Sequence, residues 1–351
     1  MKISLRPTGS RTGRQPLVGM EIARALVLAT TTANAQPWSS VGSGPKPLVP
    51  VATKPILFHT LDALRRAGVL EAALLVEESA APVFREAVGD GSRWGMSIRY
   101  TECAPETGVC DALSVAHDFI ADEPVLVQPA DAILRDCLRD HVVGFAREDL
   151  DALALMLVRP RTAEPPPASR QAGGYLLSAA AVAIMRGGPV GRDPLARLRR
   201  HGSHVRVLDV EGCLACQGSE ASLLEANRHA LAGIATDVDG ATLEGSEIQG
   251  SVVIHPTATL HNTLVRGPAI IGARSKLVDS YVGPYSSIGA DVRIEGTEIE
   301  HSIVMDGAQL LFVGSRLETS IIGRGATIVR RFDMPSAVRM SIGDGAHVAL
   351  S

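Results

Sequence analysis

The residues of this chain best suited to chemistry are several of its five cysteines, one lysine and one aspartate. Cys213 and Cys216 form the word CLAC, a Cys-x-x-Cys spacing with which two thiolates can reach one metal ion or form a redox pair. Cys103 and Cys110 lie in a separate segment. Because a free cysteine is commonly a small core residue, burial without chemistry is the competing interpretation for all four.

A second chemical question concerns phosphate binding. The stretch 25–55, ALVLATTTANAQPWSSVGSGPKPLVPVATKP, has the outline of a buried strand followed by a nucleotide-binding loop. Such loops hold phosphate with backbone N–H groups that glycine leaves accessible and with cationic side chains. Here no glycine precedes Gly42 after the strand, and no lysine or arginine stands between Arg24 and Lys46. Threonines at 30–32 add branched Cβ atoms and no positive charge.

Composition excludes several classes of partner. A net charge of −4 supplies no basic field for nucleic acid. No apolar run approaches the roughly 20 residues that cross a bilayer, and an odd number of cysteines is not a secreted disulfide framework. We therefore expect a cytoplasmic protein that binds neither nucleic acid nor membrane. Residues 1–22 are expected to form a disordered tail, with Met20 as an alternative start.

Elements that could position these groups follow an α/β pattern as far as about residue 230. Buried parallel strands are predicted at 25–29, 72–78, 125–130 and 152–158. A helix is predicted over 56–69, capped by Gly68, and another over APVFREAV, ended by Gly89. The alternation predicts a doubly wound, Rossmann-like sheet, whose ligands bind beyond the carboxyl ends of the strands.

After about residue 236 the pattern changes. Aliphatic residues recur every 17 positions in three interleaved series, separated by steps of six, six and five. This spacing predicts a three-sided solenoid of short strands with one inward aliphatic side chain per side, and glycines at the corners. The three series are Ile248, Val265, Val282, Ile299; Ile254, Ile271, Ile288; and Leu260, Leu277, Ile294.

Several words of the sequence resemble one family, the sugar-1-phosphate nucleotidylyltransferases, in particular the long glucose-1-phosphate thymidylyltransferases. They include KPLVPVATKPILF (46–58), ADAILRD (130–136) and SLLEANRHAL (222–231), followed by GPAIIGARSKLVDSYVGPYSSIGADVRIEGTEIEHSIV (267–304). The resemblance implies a nucleotidyltransferase-like α/β domain over 23–235 and a left-handed parallel β-helix, a hexapeptide solenoid, over 236–351.

The resemblance also implies a reaction, in which a sugar 1-phosphate attacks the α-phosphorus of a nucleoside triphosphate with Mg²⁺ present. The family's loop GGxGTRLxP matches TTTANAQPW (30–38), so its glycines and arginine are missing here. Lys46 matches the family's phosphate-binding lysine, and Asp131 matches its first metal-binding aspartate. For both residues a structural role, as a surface lysine or a helix-capping aspartate, is the alternative.

Other family positions are altered. Cys216 stands where the family has its second metal-binding aspartate, and thiolate is a poor ligand for Mg²⁺. Cys103 replaces the glutamine that reads the base, Gly108 of the following loop is kept, and Glu164 is a doubtful remnant of the sugar-binding EKP motif. Since the family places Cys103 and Cys216 beside one pocket, a zinc or redox site that also uses Cys110 and Cys213 is a further hypothesis.

These losses predict a homologue without nucleotidyl transfer. It would act as a scaffold, regulatory or partner subunit, as a homo-oligomer or together with an active paralogue or pathway enzyme, in a sugar-nucleotide or specialised-metabolite pathway. Two alternatives stay open. One is altered chemistry on a small molecule in the same cleft, and the other is an active, Mg²⁺-dependent nucleotidylyltransferase with an unusual loop.

Overall fold

The computed structural model describes residues 22–30, 44–105, 107–148, 150–158, 171–186, 194–215 and 219–330. Most of the predicted tail, with Met20, lies outside this part of the chain, and so does residue 164. Ile22, which the tail was expected to include, is only 1% exposed because it fills the core beneath the sheet. The fold therefore begins at or before this residue.

The first half of the described chain contains ten strands and eight α-helices that alternate along the sequence. The strands are β1 Arg24–Leu28, β2 Pro50–Val51, β3 Lys54–Pro55, β4 Glu71–Glu77, β5 Ser97–Cys103, β6 Val125–Pro129, β7 Ala132–Leu134, β8 Ala152–Val158, β9 Gln171–Leu177 and β10 Val205–Leu214. The helices are α1 Ile56–Arg66, α2 Ala81–Val88, α3 Val109–Val115, α4 His117–Ile120, α5 Leu138–Arg147, α6 Ala179–Arg186, α7 Pro194–Arg200 and α8 Glu220–Leu231, with 3₁₀ turns at Lys46–Leu48 and Ser92–Trp94.

The four strands predicted from buried apolar runs are confirmed as β1, β4, β6 and β8. Both predicted helices are also confirmed, and Gly68 and Gly89 end them with φ of +98° and +68°, a conformation that glycine adopts without steric cost. The main sheet has the order β5-β4-β1-β6-β9-β8-β10-β7. It is mixed rather than purely parallel, because β9 lies antiparallel between β6 and β8, and β7 is antiparallel to β10.

Helices cover both faces of this sheet, as a doubly wound fold requires. On one face, apolar side chains of α1, α2 and α5 pack on the sheet; on the other, those of α3, α6 and α7 do so. Successive residues of a strand point to opposite faces, so Leu126 joins the first core and Val127 the second. Within the described ranges no helix is long and apolar enough to span a membrane.

The second half is the predicted left-handed parallel β-helix. Each 17-residue series forms a ladder in register, for example Val265 opposite Val282 and Leu277 opposite Ile294. The strands are β11 Thr242–Glu244, β12 Glu247–Gln249, β13 Val252–Ile254, β14 Thr259–His261, β15 Leu264–Arg266, β16 Ala269–Ile271, β17 Lys276–Val278, β18 Tyr281–Val282, β19 Ser286–Ile288, β20 Arg293–Glu295, β21 Glu298–Glu300, β22 Ile303–Val304, β23 Gln309–Leu311, β24 Leu317–Glu318, β25 Ile321–Ile322 and β26 Thr327–Val329.

Two glycines at the corners of the coils are needed for space rather than for a left-handed backbone. A Cβ on Gly272 would lie 2.6 Å from the carbonyl carbon of Gly289 in the next coil, and one on Gly289 would lie 2.7 Å from the backbone nitrogen of Asp306. Left-handed conformations are adopted instead by residues such as Asn262 and Asp291, with φ of 47° and 57°. The corner glycines therefore let the coils stack closely.

The two halves meet at an apolar layer that we call the joint. Helix α8 contributes Leu223 and Ala226. The side of the β-helix formed by β13, β16, β19, β22 and β25, which we call its third side, contributes Ile303 and Met305. Each of these four residues is at most 2% exposed. This side of the β-helix presents aliphatic residues outward as well as inward, since Ile270, Ile303 and Ile321 lie on its outer ladder. The outward aliphatic ladder explains why this side is covered by the first half.

The corner geometry predicts opposite effects for two Gly→Ala changes. Gly272→Ala places a Cβ against backbone that cannot move freely, so it should lower the free energy of unfolding by about 1–3 kcal/mol. Gly144→Ala, inside α5 with nothing within 4 Å of the new Cβ, should raise it by about 0.5–1 kcal/mol. Urea unfolding followed by circular dichroism measures both, and equal effects of the two changes would contradict the stacking argument.

Candidate functional site

The carboxyl ends of β6, β1 and β4 meet at one edge of the sheet. The Ala130 N–H donates to Leu28 O at 2.8 Å, and the Ala29 N–H donates to Leu75 O at 2.9 Å. Thr30, Asp131 and Glu77 therefore lie along this edge, where doubly wound sheets bind their ligands. Most of the loop that follows β1, residues 31–43, lies outside the described residues. The predicted loss of a phosphate loop there stays a prediction.

Asp131 occupies the turn between β6 and β7, and this turn lies against the end of β10. The Ala215 N–H donates to the backbone oxygen of Asp131 at 3.0 Å, and Leu214 is opposite Ala132 in the antiparallel pair. Cys216 follows Ala215 directly in the sequence but lies outside the described residues. The structure thus brings Asp131 beside the segment that leads into position 216, as the family alignment implied.

Two buried side chains hold the Asp131 turn. The Thr60 hydroxyl of α1 lies 3.0 Å from Ala130 O and 3.4 Å from Ala132 O, the two carbonyls that flank Asp131. Gln128 Nε2 lies 3.5 Å from Ala132 O. Sequence reasoning missed Thr60 and Gln128. For Gln128 the available signal was a single polar residue inside the apolar segment VLVQPA, whereas Thr60 stands beside His59 in ILFHTLDAL and carried no such signal.

Lys46 begins the 3₁₀ turn that leads into the short hairpin of β2 and β3. Its backbone oxygen accepts from the Val49 N–H at 3.0 Å, and Val49 O accepts from the Ile56 N–H at 3.0 Å, which closes the segment onto α1. Val49 packs in the joint together with Ile133, two residues after Asp131. The chain segments that carry Lys46 and Asp131 therefore share one apolar layer.

The hairpin turns through two non-glycine residues in the left-handed region, Ala52 with φ of 47° and Thr53 with φ of 66°. His59 Nε2 lies 2.9 Å from Val51 O. Burial, followed by the charge of Lys54, lowers the pKa of His59 to about 4. The imidazole is therefore neutral at pH 7, and an Nε2–H tautomer donates to the hairpin.

Cys103 lies away from Asp131, at the end of β5. Three strand spacings, roughly 14 Å, separate β5 from β6 in the sheet. Cys103 borders a cleft of about 530 Å³ that is also lined by Glu77, Glu78 and Glu102. Glu102 is 3.6 Å from the guanidinium of Arg85, so one of these carboxylates is partly compensated. A cleft with three carboxylates opposes the approach of a polyphosphate.

Gly108, Cys103 and Cys110, which the sequence analysis singled out, lie near the start of α3. Gly108 precedes α3 with extended backbone, and a Cβ there would meet only Asp111 Oδ2 at 3.8 Å, so packing does not require glycine. Burial raises the pKa of the Cys103 thiol, and burial together with Asp111 raises that of Cys110. Both thiols are protonated at neutral pH, which disfavours a thiolate nucleophile.

Of the four described cysteines, three lie in two different layers and Cys137 is exposed. Cys103 and Cys110 pack against the core beneath α3, whereas Cys213 is 7% exposed in the joint, opposite Ile133. Among the described residues no three His, Cys, Asp or Glu side chains are grouped to hold a metal ion. A cysteine site that includes Cys216 stays a prediction. Mg²⁺ needs several oxygen ligands, and Asp131 alone does not fit that need.

Sequence alignments with known proteins cover most of this chain. A sequence profile for nucleotidyl transferases matches residues 41–166. The chain is 31% identical to a glucose-1-phosphate thymidylyltransferase of Streptomyces griseus over 334 residues, which is 87% of this chain and 94% of the relative. It is 30% identical to one of Streptomyces antibioticus, with 87% and 93% covered. It is 28% identical to a low-salt glycan biosynthesis nucleotidyltransferase of Haloferax volcanii, with 88% and 95% covered.

The buried, neutral His59 predicts a specific loss of stability in acid. The unfolded chain takes up the proton near pH 6.5, whereas the folded protein does so only near pH 4, so stability falls as the pH drops through this window. Between pH 7 and pH 5 the loss from this group should be about 2 kcal/mol.

The matched variant is His59→Gln, which keeps a donor for Val51 O but does not titrate. Urea unfolding at pH 7 and pH 5 should show a smaller loss in His59→Gln than in the wild type. Identical losses in the two proteins would show that His59 is not held neutral by the fold.

Proposed function

Because the chain belongs to the nucleotidyl transferase family that includes the glucose-1-phosphate thymidylyltransferases, we propose that it is a diverged member without nucleotidyl transfer. Its role is that of a scaffold or partner subunit in a pathway of sugar nucleotides or specialised metabolites. The proposal is supported by the packed scaffold of the described residues and by the sequence, which lacks glycine at 30–38, arginine or lysine at 25–45 and an aspartate at 216.

The observation that carries this proposal is the residue that follows Ala215 beside the Asp131 turn, a cysteine where the family resemblance places a second aspartate. Nucleotidyl transfer brings three to four negative charges together, and divalent metal, cations and backbone N–H groups must offset them. Asp131 is kept there, but Ala215, whose N–H bonds its backbone oxygen, leads into Cys216 rather than into a second aspartate. With one carboxylate, Mg²⁺ is not held firmly enough to bridge two phosphates.

The neighbouring positions add to the charge problem. In the sequence, no cationic residue lies between Arg24 and Lys46, so Lys46 alone represents the family's cations in this segment. Across the edge of the sheet, Glu77, Glu78 and Glu102 surround the cleft next to Cys103. Carboxylates at this cleft would disfavour the approach of a nucleoside triphosphate. A change in the sugar that is bound would not require a change in the residues that contact the triphosphate.

One surface open to a partner lies on the β-helix. The side formed by β13, β16, β19, β22 and β25 is covered by α8, whereas the side formed by β12, β15, β18, β21 and β24 carries exposed ion pairs of Arg316 with Glu298 at 2.9 Å and with Glu300 at 3.4 Å. Exposed pairs of this kind contribute little to stability, but they give a polar, patterned surface. We propose that this surface contacts an active homologue or another enzyme of the pathway.

The first test is an assay of pyrophosphate release with dTTP, glucose 1-phosphate and Mg²⁺. The wild type should give no more product than Lys46→Ala, because neither protein can gather the triphosphate and the metal. A rebuilt variant, in which 30–38 is replaced by a GGxGTRLxP stretch and Cys216→Asp is added, should release pyrophosphate. Its rate should be at least about tenfold above the background level measured with the wild type. Product formation by the wild type above the level of Lys46→Ala would refute the proposal.

The second test concerns the partner. The full chain, co-expressed with an active thymidylyltransferase from the same cell, should elute with it as one species in size-exclusion chromatography with light scattering. Arg316→Glu, which reverses the charge of one member of the exposed Arg316–Glu298 pair, should weaken that complex. His117→Gln changes an exposed residue in the first half of the chain and should leave the complex unchanged. Separate elution of the two wild-type proteins would exclude this partner class.

A further inference from the structure

We propose that Asn227 of α8 couples the docking of the β-helix to the conformation of the hairpin that follows Lys46. Asn227 is 1% exposed and lies between the two halves of the chain. Its Oδ1 accepts from the Ala52 N–H at 2.9 Å, and its Nδ2 donates to Tyr285 O at 2.9 Å. One amide group therefore joins the turn of the hairpin to a corner of the β-helix, just before β19.

The hairpin needs such support because its turn is strained. Ala52 and Thr53 both adopt a left-handed backbone, which is unfavourable for residues with a Cβ. The Ala52 N–H is turned inward toward α8, where the Asn227 oxygen satisfies it. Without this acceptor, the buried Ala52 N–H would lose its hydrogen bond, while the bond of His59 to Val51 O would remain.

The β-helix in turn fixes the orientation of the Asn227 side chain. When Tyr285 O is in place, the NH₂ group of the amide points to the β-helix and its oxygen points to the hairpin. If the β-helix moves away from α8, the buried NH₂ group loses its acceptor, and the amide no longer has a reason to keep its oxygen on Ala52. The two bonds are therefore expected to form and break together.

Apolar contacts also link the hairpin to the β-helix. Val51 and Ala52 pack in the joint with Ile303 and Met305 of the β-helix. The hairpin is also linked to Lys46, whose backbone oxygen bonds Val49 N–H in the segment that closes on Ile56. A ligand or protein that shifts the β-helix against α8 should thereby change the order of the Lys46 segment. This coupling is independent of whether the cleft retains catalysis.

Hydrogen exchange of the full chain, followed by mass spectrometry, tests this coupling. In Asn227→Ala, amides of 47–58 should exchange at least about tenfold faster than in the wild type. The matched control is Ser275→Ala, which removes another buried side chain with two hydrogen bonds, to Gly289 O and from the Val292 N–H, entirely within the β-helix. It should leave exchange in 47–58 unchanged.

Two further variants separate coupling from simple loss of a bond. Asn227→Asp keeps an acceptor for the Ala52 N–H but cannot donate to Tyr285 O as a carboxylate, so exchange in 47–58 should still accelerate. Adding Ala52→Gly to Asn227→Ala should restore much of the protection, because glycine adopts the left-handed turn without strain. Unchanged exchange of 47–58 in Asn227→Asp, or equal acceleration of every peptide in Asn227→Ala, would overturn the proposal.

Discussion

The arrangement of this protein depends on helix α8 being buried on two sides at once. Leu223 and Ala226 belong to a layer that also contains Val51 of the hairpin and Ile303 of the β-helix. Burying one such aliphatic side chain contributes roughly 1.5–3 kcal/mol, so the layer holds the two halves as one packed unit. Because the Asp131 turn and the Lys46 segment reach the same layer, through Ile133 and Val49, this packing sets the position of these two segments relative to each other.

Packing and charge place different demands on this molecule. The described residues form the parts that need only shape: the doubly wound sheet, its two covered faces and the in-register ladders of the β-helix. In the proposed account, the sequence keeps only Lys46 and Asp131 of the groups that the family resemblance assigns to phosphate and metal. Burial is tolerant of many aliphatic substitutions, whereas neutralising a triphosphate depends on a few groups at fixed positions. The proposed loss of nucleotidyl transfer is therefore compatible with an intact fold.

Local pattern was enough to predict much of this fold. The 17-residue spacing of Val265, Val282 and their equivalents reports directly which residues stack, because each coil repeats the one before it. Strand β9 was missed, since its sequence QAGGYLL contains two glycines and follows a proline-rich stretch. Its antiparallel insertion between β6 and β8 depends on long-range pairing, which periodicity does not encode.

Site residues could be predicted only where the residue itself can be recognised in the sequence, without knowledge of its partners in the fold. The Ala215 N–H bonds Asp131 O, but Cys216 lies outside the described residues, so its position beside Asp131 stays a prediction. Asn227 could not have been assigned its role, because its partners Ala52 and Tyr285 lie 175 and 58 residues away in the sequence. The acidic lining beside Cys103 arises from the ends of two different strands, and their adjacency appears only in the folded sheet.

The most direct measurement of the central claim is isothermal titration calorimetry of the full chain with Mg²⁺–dTTP. A site without compensating charge predicts no saturable binding, with any Kd weaker than about 1 mM. Saturable binding at micromolar concentration, abolished by Lys46→Ala or Asp131→Asn, would contradict the account.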